Sequence, residues 1–463
     1  MSRLVAISNR IALPRRGAAP GGLAVGLHAA MQARGGLWFG WSGDVADVPR
    51  DRPELTRRDG IQFGTIDLTP REREEYYLGF CNGVIWPLFH YFPESFRHDE
   101  TLYESYVRVN QRFADGLLQL LRSDDLVWVH DFHLLPLARC LRAAGARQPL
   151  GLFLHIPFPH IELLRVLPVF GDLVGAMLEY DHIGFQTDSD LAAFHSAVRF
   201  LHGAEALCGP DGVCVDGRRV RTGVYPIGVD VDRIRAETAR ALGHDACRRM
   251  AAGLLGRKLM IGVDRLDYSK GLVERFRAYE RFLEQMPESL GRVTFLQIAP
   301  LSRSDVQAYA SIRSDLERTT GRINGRFADT DWTPIRYLNR DFPHDVLMGF
   351  MRIAPVGLVT PVRDGMNLVA KEFVAAQDPE DPGVLILSTM AGAARELTSA
   401  LLVNPYDTRA MADAIQQAFS MPLSERRQRH QRLLDSLRSG DIHHWYTGFL
   451  RDLEGARAWS VAS

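Results

Sequence analysis

The chain has 463 residues, 46% hydrophobic and 24% charged, a composition that excludes a disordered tail or a fibre and leaves room for two large globular domains or three small ones. Lys and Arg number 55 against 56 Asp and Glu, a formal charge of -1, so no overall field draws the chain to nucleic acid or an anionic membrane, and any anion site has to be built locally. Cys81, Cys140, Cys208, Cys214 and Cys247 are widely spaced without a CxxC pair, and no apolar run approaches the roughly 18 residues of a membrane span. Neither a disulfide framework, a zinc ribbon, secretion nor membrane insertion is supported, and a reducing, cytoplasmic location is expected.

Along the chain, short β-branched or Leu-rich runs alternate with segments of helical period, the pattern of doubly wound α/β domains. Leu4 to Ile7 reads as the first strand. Ser8-Asn9-Arg10 follows it, then a Pro- and Gly-containing loop to Gly21-Gly22, then a helix with Leu23, Leu27, Ala30 and Met31 on one face. Glycines entering a helix let a phosphate approach the backbone N–H groups, although without a full GxGxxG or Walker pattern a flexible turn explains them equally well. The aromatic stretch from Arg71 to Asn110 has no regular period, and no element is assigned to it. Leu126 to Val129, Gly151 to His155 and Ile183 to Phe185 complete the first set of strands.

Ligands of open α/β sheets bind beyond the carboxyl ends of strands. Two ends here are polar, Val129-His130-Asp131-Phe132-His133 and Leu154-His155-Ile156-Pro157-Phe158-Pro159-His160. His130, Asp131, His133, His155 and His160 are metal-ligand types, but no HExxH or Cys/His register is present, and no metal is assigned. The same residues suit hydrogen bonding to hydroxyls.

The turn-like Pro226-Ile227-Gly228-Val229-Asp230 marks a boundary, giving domains of residues 1–226 and 227–463, with the final helix free to pack back on the first. Leu259 to Val263, Val293 to Ile298, Val356 to Val359 and Val384 to Leu387 are the later strands, and Leu272, Phe276, Tyr279 and Leu283 form one helical stripe. Arg265 and Lys270 stand between a strand and that helix. The planar fork of one and the point charge of the other suit a diphosphate; the alternative is two solvated charges paired with Asp264 and Asp267.

Asp364 lies in a turn after a strand, the N–H groups of Asn367 to Val369 open a helix, and Glu372 follows eight positions on. Such a pair can bind sugar hydroxyls at the turn and a ribose further in; the alternative is a helix cap and a surface residue. The triplets Asp188-Ser189-Asp190, Asp230-Val231-Asp232 and Asp329-Thr330-Asp331 read as turns or caps, and with Arg265 and Lys270 at hand a diphosphate needs no divalent cation.

Taken together, Ser8-Asn9-Arg10, Gly21-Gly22-Leu23, the segment Gly36 to Gly43, His130 to Leu134, Phe153 to Pro159, Val263 to Gly271 and Arg363 to Glu372 closely resemble the trehalose-6-phosphate synthases of glycosyltransferase family 20, in the family's order and across most of the chain. The resemblance implies a GT-B fold, two Rossmann-like domains facing across a cleft, without cofactor or metal. It implies a retaining transfer of glucose from a nucleotide donor, UDP-glucose by default with GDP- and ADP-glucose open, to glucose 6-phosphate. By the same resemblance Arg265 and Lys270 bind the diphosphate, Gly22 approaches it through its backbone, and Met366, Asn367, Leu368, Val369 and Glu372 hold the nucleotide. Asp364 and His155 grip the donor glucose. Arg10, Tyr77, Trp86 and Arg303 receive glucose 6-phosphate, with Asp131 and Trp41 lining the acceptor side; Asp131, His155, Arg265, Lys270 and Asp364 form the catalytic set. A pseudo-glycosyltransferase joining a cyclitol nucleotide to an amino-cyclitol phosphate and a non-catalytic sugar-phosphate-binding regulator are the alternatives. Neither nucleic acid nor membrane is expected as a partner, and a homo-oligomer stays open.

Overall fold

Strands that are apolar at every position have to be covered on both faces, and in this protein they are central members of parallel sheets. A computed structural model of the chain describes residues 2–11, 22–301 and 307–459. These form two compact units, one of residues 2–11, 22–227 and 443–459 and one of residues 228–442.

The strands of the first unit are β1 (Leu4–Arg10), β2 (Gly36–Val45), β3 (Glu54–Arg58), β4 (Ile61–Leu68), β5 (Leu126–His130), β6 (Leu150–Phe153), β7 (His182–Phe185), β8 (Leu207–Gly209), β9 (Gly212–Val215) and β10 (Arg218–Val224). They lie in the order β3-β4-β2-β1-β5-β6-β7-β10-β9-β8. The stretch from β4 through β10 is parallel, and β3 and the β8–β9 hairpin are added antiparallel at the edges. From β1 the chain moves outward to β2 and β4, then returns to lay β5, β6 and β7 on the other side. Winding therefore reverses between β1 and β5, and at the carboxyl ends of those two strands stand Arg10, which closes β1, and Asp131, which follows β5.

The second unit repeats the plan with β11 (Lys258–Val263), β12 (Val293–Ile298), β13 (Ile335–Leu338), β14 (Val356–Val359), β15 (Val384–Ser388) and β16 (Leu401–Val403), all parallel in the order β13-β12-β11-β14-β15-β16. The reversal here is between β11 and β14. Right-handed crossovers on either side of it put helices on opposite faces. Accordingly Leu272–Gln285 packs beside Gln307–Phe327 and Thr408–Ser420, whereas His344–Ile353 packs beside Leu368–Ala376. Leu272, Phe276, Tyr279 and Leu283 are all buried as the stripe requires, sharing one core with Met260, Phe295, Leu358 and Ile386. Truncating Phe276 to Ala in such a core costs about 3–5 kcal/mol.

The α/β doubly wound class expected from the alternation is what forms, and β12 and β14 have the expected bounds. β6 is shorter than expected, ending at Phe153, because the His155 N–H turns away from the ladder to the Asp131 carboxylate, 3.2 Å away. The stretch left unassigned holds a π-helix (Arg73–Ile85) and a long α-helix (Glu100–Leu118). The last helix, Ile442–Trp459, lies on the first sheet where Gly151 and Gly184 leave space: a Cβ at Gly184 would come 2.7 Å from the Phe449 ring, and one at Gly151 2.9 Å from Leu453. All five cysteines are free, and among the described residues no helix is long and apolar enough to cross a membrane.

Candidate active site

Of the three residues closing β1, two are consumed by the fold. Ser8 Oγ accepts a hydrogen bond from Trp38 Nε1 at 2.9 Å, and Asn9 Oδ1 accepts one from the Tyr76 hydroxyl at 2.7 Å. Arg10 alone is exposed, its guanidinium 5.8 Å from the Trp41 ring centre, and Trp41 is its register partner on β2. The Trp41 ring meets Tyr77 edge-on at 5.6 Å, and Tyr77 stacks on His133 at 6.0 Å. Trp86 follows the π-helix directly, buried and stacked on His90 at 4.0 Å. Arg10, Trp41 and Tyr77 thus form a continuous cation–aromatic row, while Trp86 stands apart against Phe132. Gly22 opens the helix Gly22–Arg34; Arg303 lies outside the described residues.

One strand along, Asp131 has φ 76°, a left-handed backbone rare for a residue with a side chain. Side chains alternate along a strand, so neighbours ordinarily face opposite ways. The turn at Asp131 breaks that rule, and both His130 and Asp131 reach His155. Asp131 Oδ1 accepts the His155 backbone N–H, and His130 Nδ1 lies 3.1 Å from His155 Nε2. Burial pushes His130 well below the ordinary imidazole range, with the neighbouring His155 adding to it, and pushes His155 down to about 3. His160 instead caps a short helix through its own ring.

In the second unit the Lys270 ammonium lies 2.5 Å from Asp364 Oδ2, across the β11–β14 reversal. Asp264 and Asp267, the partners of the alternative reading, are both engaged in the fold. Asp267 caps its own turn through Ser269 and accepts the Tyr309 hydroxyl at 3.1 Å. Asp264 pairs at 2.8 Å with Arg275, both fully buried, and burial raises its carboxyl even against that guanidinium. Arg275 also donates to Thr360 Oγ1 at 3.0 Å, Gln297 Oε1 at 2.9 Å and the Lys270 carbonyl at 3.3 Å. One side chain therefore ties the ends of β11, β12 and β14 to the Lys270 loop. Gly262 makes room for it, since a Cβ there would sit 2.7 Å from Arg275 Nη1. Arg265 projects outward between buried Asp264 and Leu266.

Asp364 is not a helix cap. Asn367 caps the helix Leu368–Ala376, accepting the Ala370 N–H at 3.2 Å while donating to Asp364 Oδ2 at 3.0 Å, and Met366 is buried beside it. The N–H groups of Leu368 and Val369 open the helix, an anion- and carbonyl-binding terminus. Glu372, one turn on, is no solvated surface residue: it accepts from His344 Nε2 at 3.2 Å, and His344 Nδ1 donates to Glu237 at 2.8 Å. Burial alone would lower His344, but the bonds to Glu237 and Glu372 outweigh it and raise it to about 9, so the ring is an imidazolium at neutral pH.

Arg265 and Lys270 follow one strand, Asp364, Met366, Asn367, Leu368, Val369 and Glu372 follow the other, and the second unit brings them to one reversal. Arg275 and His344 escaped the sequence reading. For Arg275 a signal existed, a Gln at position 297 inside a mostly apolar strand; for His344 there was none. The three acidic triplets are structural: Thr187 caps a helix whose first turn holds Asp188 and Asp190, Asp230 caps another, and Asp331 pairs with Arg257. Among the described residues no three His, Cys, Asp or Glu side chains gather as a metal cage.

The model of glycosyltransferase family 20 matches residues 15–455. A trehalose-6-phosphate synthase of Enterobacter sp. (strain 638) is 48% identical, covering 100% of this chain and 97% of its own length. An α,α-trehalose-phosphate synthase (UDP-forming) from Burkholderia vietnamiensis superposes with TM-score 0.97 at 50% identity, covering 100% of this chain and 99% of that one. A Burkholderia xenovorans enzyme of the same description, in complex with glucose 6-phosphate, superposes with TM-score 0.94 at 48% identity over 98% of this chain and 100% of that one.

Proposed function

The chain belongs to glycosyltransferase family 20, and we propose that it is a UDP-forming enzyme that moves glucose from UDP-glucose to glucose 6-phosphate with retention, giving α,α-trehalose 6-phosphate. The observation that carries this is the Lys270–Asp364 pair at the β11–β14 reversal, one turn before the helix N-terminus at Leu368. A diphosphate and a hexose are adjacent in a nucleotide sugar, and a cation beside a carboxylate matches that adjacency: Lys270 and Arg265 take the phosphate oxygens, and Asp364 takes hexose hydroxyls. Leu368 and Val369 offer backbone N–H groups, and Glu372 accepts from the ribose.

An acceptor phosphate carries about -1.5 to -2 at neutral pH. Arg10 and Arg303 counter it, while Trp41, Tyr77 and Trp86 supply flat surfaces for a sugar ring and Asp131 accepts from its hydroxyls. In the transfer the bond from glucose C1 to the diphosphate breaks as C1 bonds to the acceptor oxygen on the same face, and the acceptor proton passes to the departing phosphate oxygen. The protein positions the two sugars and stabilises the charge that grows on the leaving group. Because fixed cations are present for that charge, activity is expected in chelator. Two phosphorylated substrates and five free thiols support a cytoplasmic location.

The test is to incubate the purified protein with glucose 6-phosphate and each of UDP-, GDP- and ADP-glucose in chelator, and to identify the product and its linkage. Trehalose 6-phosphate from UDP-glucose is expected. A cyclitol-linked product from cyclitol substrates alone, or substrate binding without turnover, would replace this reading with one of its alternatives.

A further inference from the structure

His155 Nε2 faces His130 Nδ1 at 3.1 Å, so one of these nitrogens is protonated and the other is not. Both rings are neutral at working pH, which leaves two arrangements. If His155 donates from Nε2, His130 carries its proton on its own Nε2, and His155 presents a bare Nδ1. If His130 donates from Nδ1, its Nε2 is a lone pair, and His155 carries its proton on Nδ1.

The surroundings of His130 separate the two. Its Nε2 is buried without a hydrogen-bond partner. The rings packed about it are Trp128 at 4.3 Å, Trp445 of the last helix at 6.2 Å and Phe153 at 6.5 Å between centres. An indole can only donate, and Trp128 Nε1 and Trp445 Nε1 are themselves buried without an acceptor. A proton on His130 Nε2 would add a third orphaned donor among groups that offer no acceptor. A lone pair there is the lesser loss, since unpaired buried N–H groups are the rarer and costlier case.

We propose that His130 is a positioning residue that holds His155 in its Nδ1–H form, so that His155 meets the donor sugar as a hydrogen-bond donor to a sugar oxygen and not as a base. Asp131 fixes the backbone of His155 while His130 fixes its ring, a two-point clamp made possible by the left-handed turn at Asp131. That the oxygen belongs to the donor glucose rests on the function proposed above; the tautomer does not.

The experiment is a long-range proton–nitrogen spectrum of the full-length protein labelled with 15N-histidine, with His155 assigned by the signal lost in His155→Gln. A proton on His155 Nδ1 is expected, and one on Nε2 overturns the proposal even if no His130 variant folds. Kinetics give a second readout. His130→Leu is expected to lower kcat/KM for UDP-glucose about tenfold to a hundredfold, the usual range for a lost buried hydrogen bond, with KM for glucose 6-phosphate unchanged. His130→Asn, which keeps an N–H near the Nδ1 position, restores most of it. Equal losses for Leu and Asn, or a change confined to the acceptor KM, would also overturn it. If the unaltered protein makes no disaccharide, the functional reading fails while the spectrum still decides the tautomer.

Discussion

In the first unit the polar groups at the winding reversal are largely rings: His130 and His155 face one another as neutral imidazoles, and a row of His133 stacked on Tyr77 and Tyr77 edge-on to Trp41 ends on one exposed guanidinium, Arg10. At the equivalent place in the second unit nearly every polar group is ionised and paired, Lys270 with Asp364, Arg275 with Asp264, Lys371 with Glu396 at 2.6 Å, and His344 with Glu237 and Glu372. One architecture thus carries two electrostatic designs. A half that stabilises a growing diphosphate charge needs cations fixed beforehand, and buried cations persist only when partnered. A half that positions an uncharged hydroxyl needs directional donors and flat surfaces, which neutral rings supply with little desolvation cost.

The largest effect expected from breaking this contrast is at Arg275. Arg275→Met leaves Asp264 buried without its counter-charge and frees the Lys270 loop, and should cost about 3–5 kcal/mol in urea unfolding. Adding Asp264→Asn should recover part of that loss. If the single variant were as stable as the parent, the pair would not be holding the loop. Somewhat smaller is Lys270→Ala, for which turnover at saturating UDP-glucose should fall about 10²- to 10³-fold, as when one fixed donor to a developing anion is removed. Full activity in that variant would sink the leaving-group role.

Smaller again is Arg303→Ala, which removes one of two cations assigned to the acceptor phosphate. A charge-assisted hydrogen bond is worth about 1.5–3 kcal/mol, so KM for glucose 6-phosphate should rise about tenfold to a hundredfold, with KM for the donor nearly unchanged. Equal loss for both substrates would show that the division of roles between the two cation pairs, Arg10 with Arg303 and Arg265 with Lys270, is wrong.

The contrast also governs how much could be read from the sequence. β12 and β14 are continuously buried, β14 apolar throughout and β12 interrupted only by Thr294 and Gln297, and their bounds follow from composition. β3 has all five residues exposed and four of them polar, with Leu55 its single apolar residue, so neither alternation nor apolarity marks it, and only its pairing to β4 makes it a strand. In the π-helix the buried Tyr76, Leu78, Phe80, Cys81, Val84 and Ile85 follow a wider turn than 3.6 residues, and no helical template fits them. The candidate site divides in the same way. Asp364 and Lys270 were legible because they lie in the turns that follow strands, but their contact crosses 94 positions, and nothing local says that Lys270 chooses Asp364 over the nearer Asp267. Arg275 sits beside Phe276 on a helix where a charged residue ordinarily marks the solvent face, and its inward course depends on space at Gly262 and on the distant partners Asp264, Gln297 and Thr360.

Across the usual assay range the smallest effect is the pH dependence, yet it separates the two designs most directly. His155 has its folded value depressed to about 3 from an ordinary value near 6.5, so its contribution to stability is complete above about 6.5 and is lost as pH falls toward 3. His130 and His182 of the same unit, and His430 of the other, are lowered by burial too and add to this acid limb. His344 has the opposite sign: raised to about 9, it contributes fully below about 6.5, and the contribution is lost as pH rises through 9. Thermal unfolding of the parent and of His344→Gln between pH 6 and 10 should give profiles that converge as the pH rises, because the imidazolium that the variant lacks is then lost from the parent as well. A constant offset across that range would mean that His344 is neutral between its two carboxylates, and Glu372 would then reach the ribose without a fixed cation behind it.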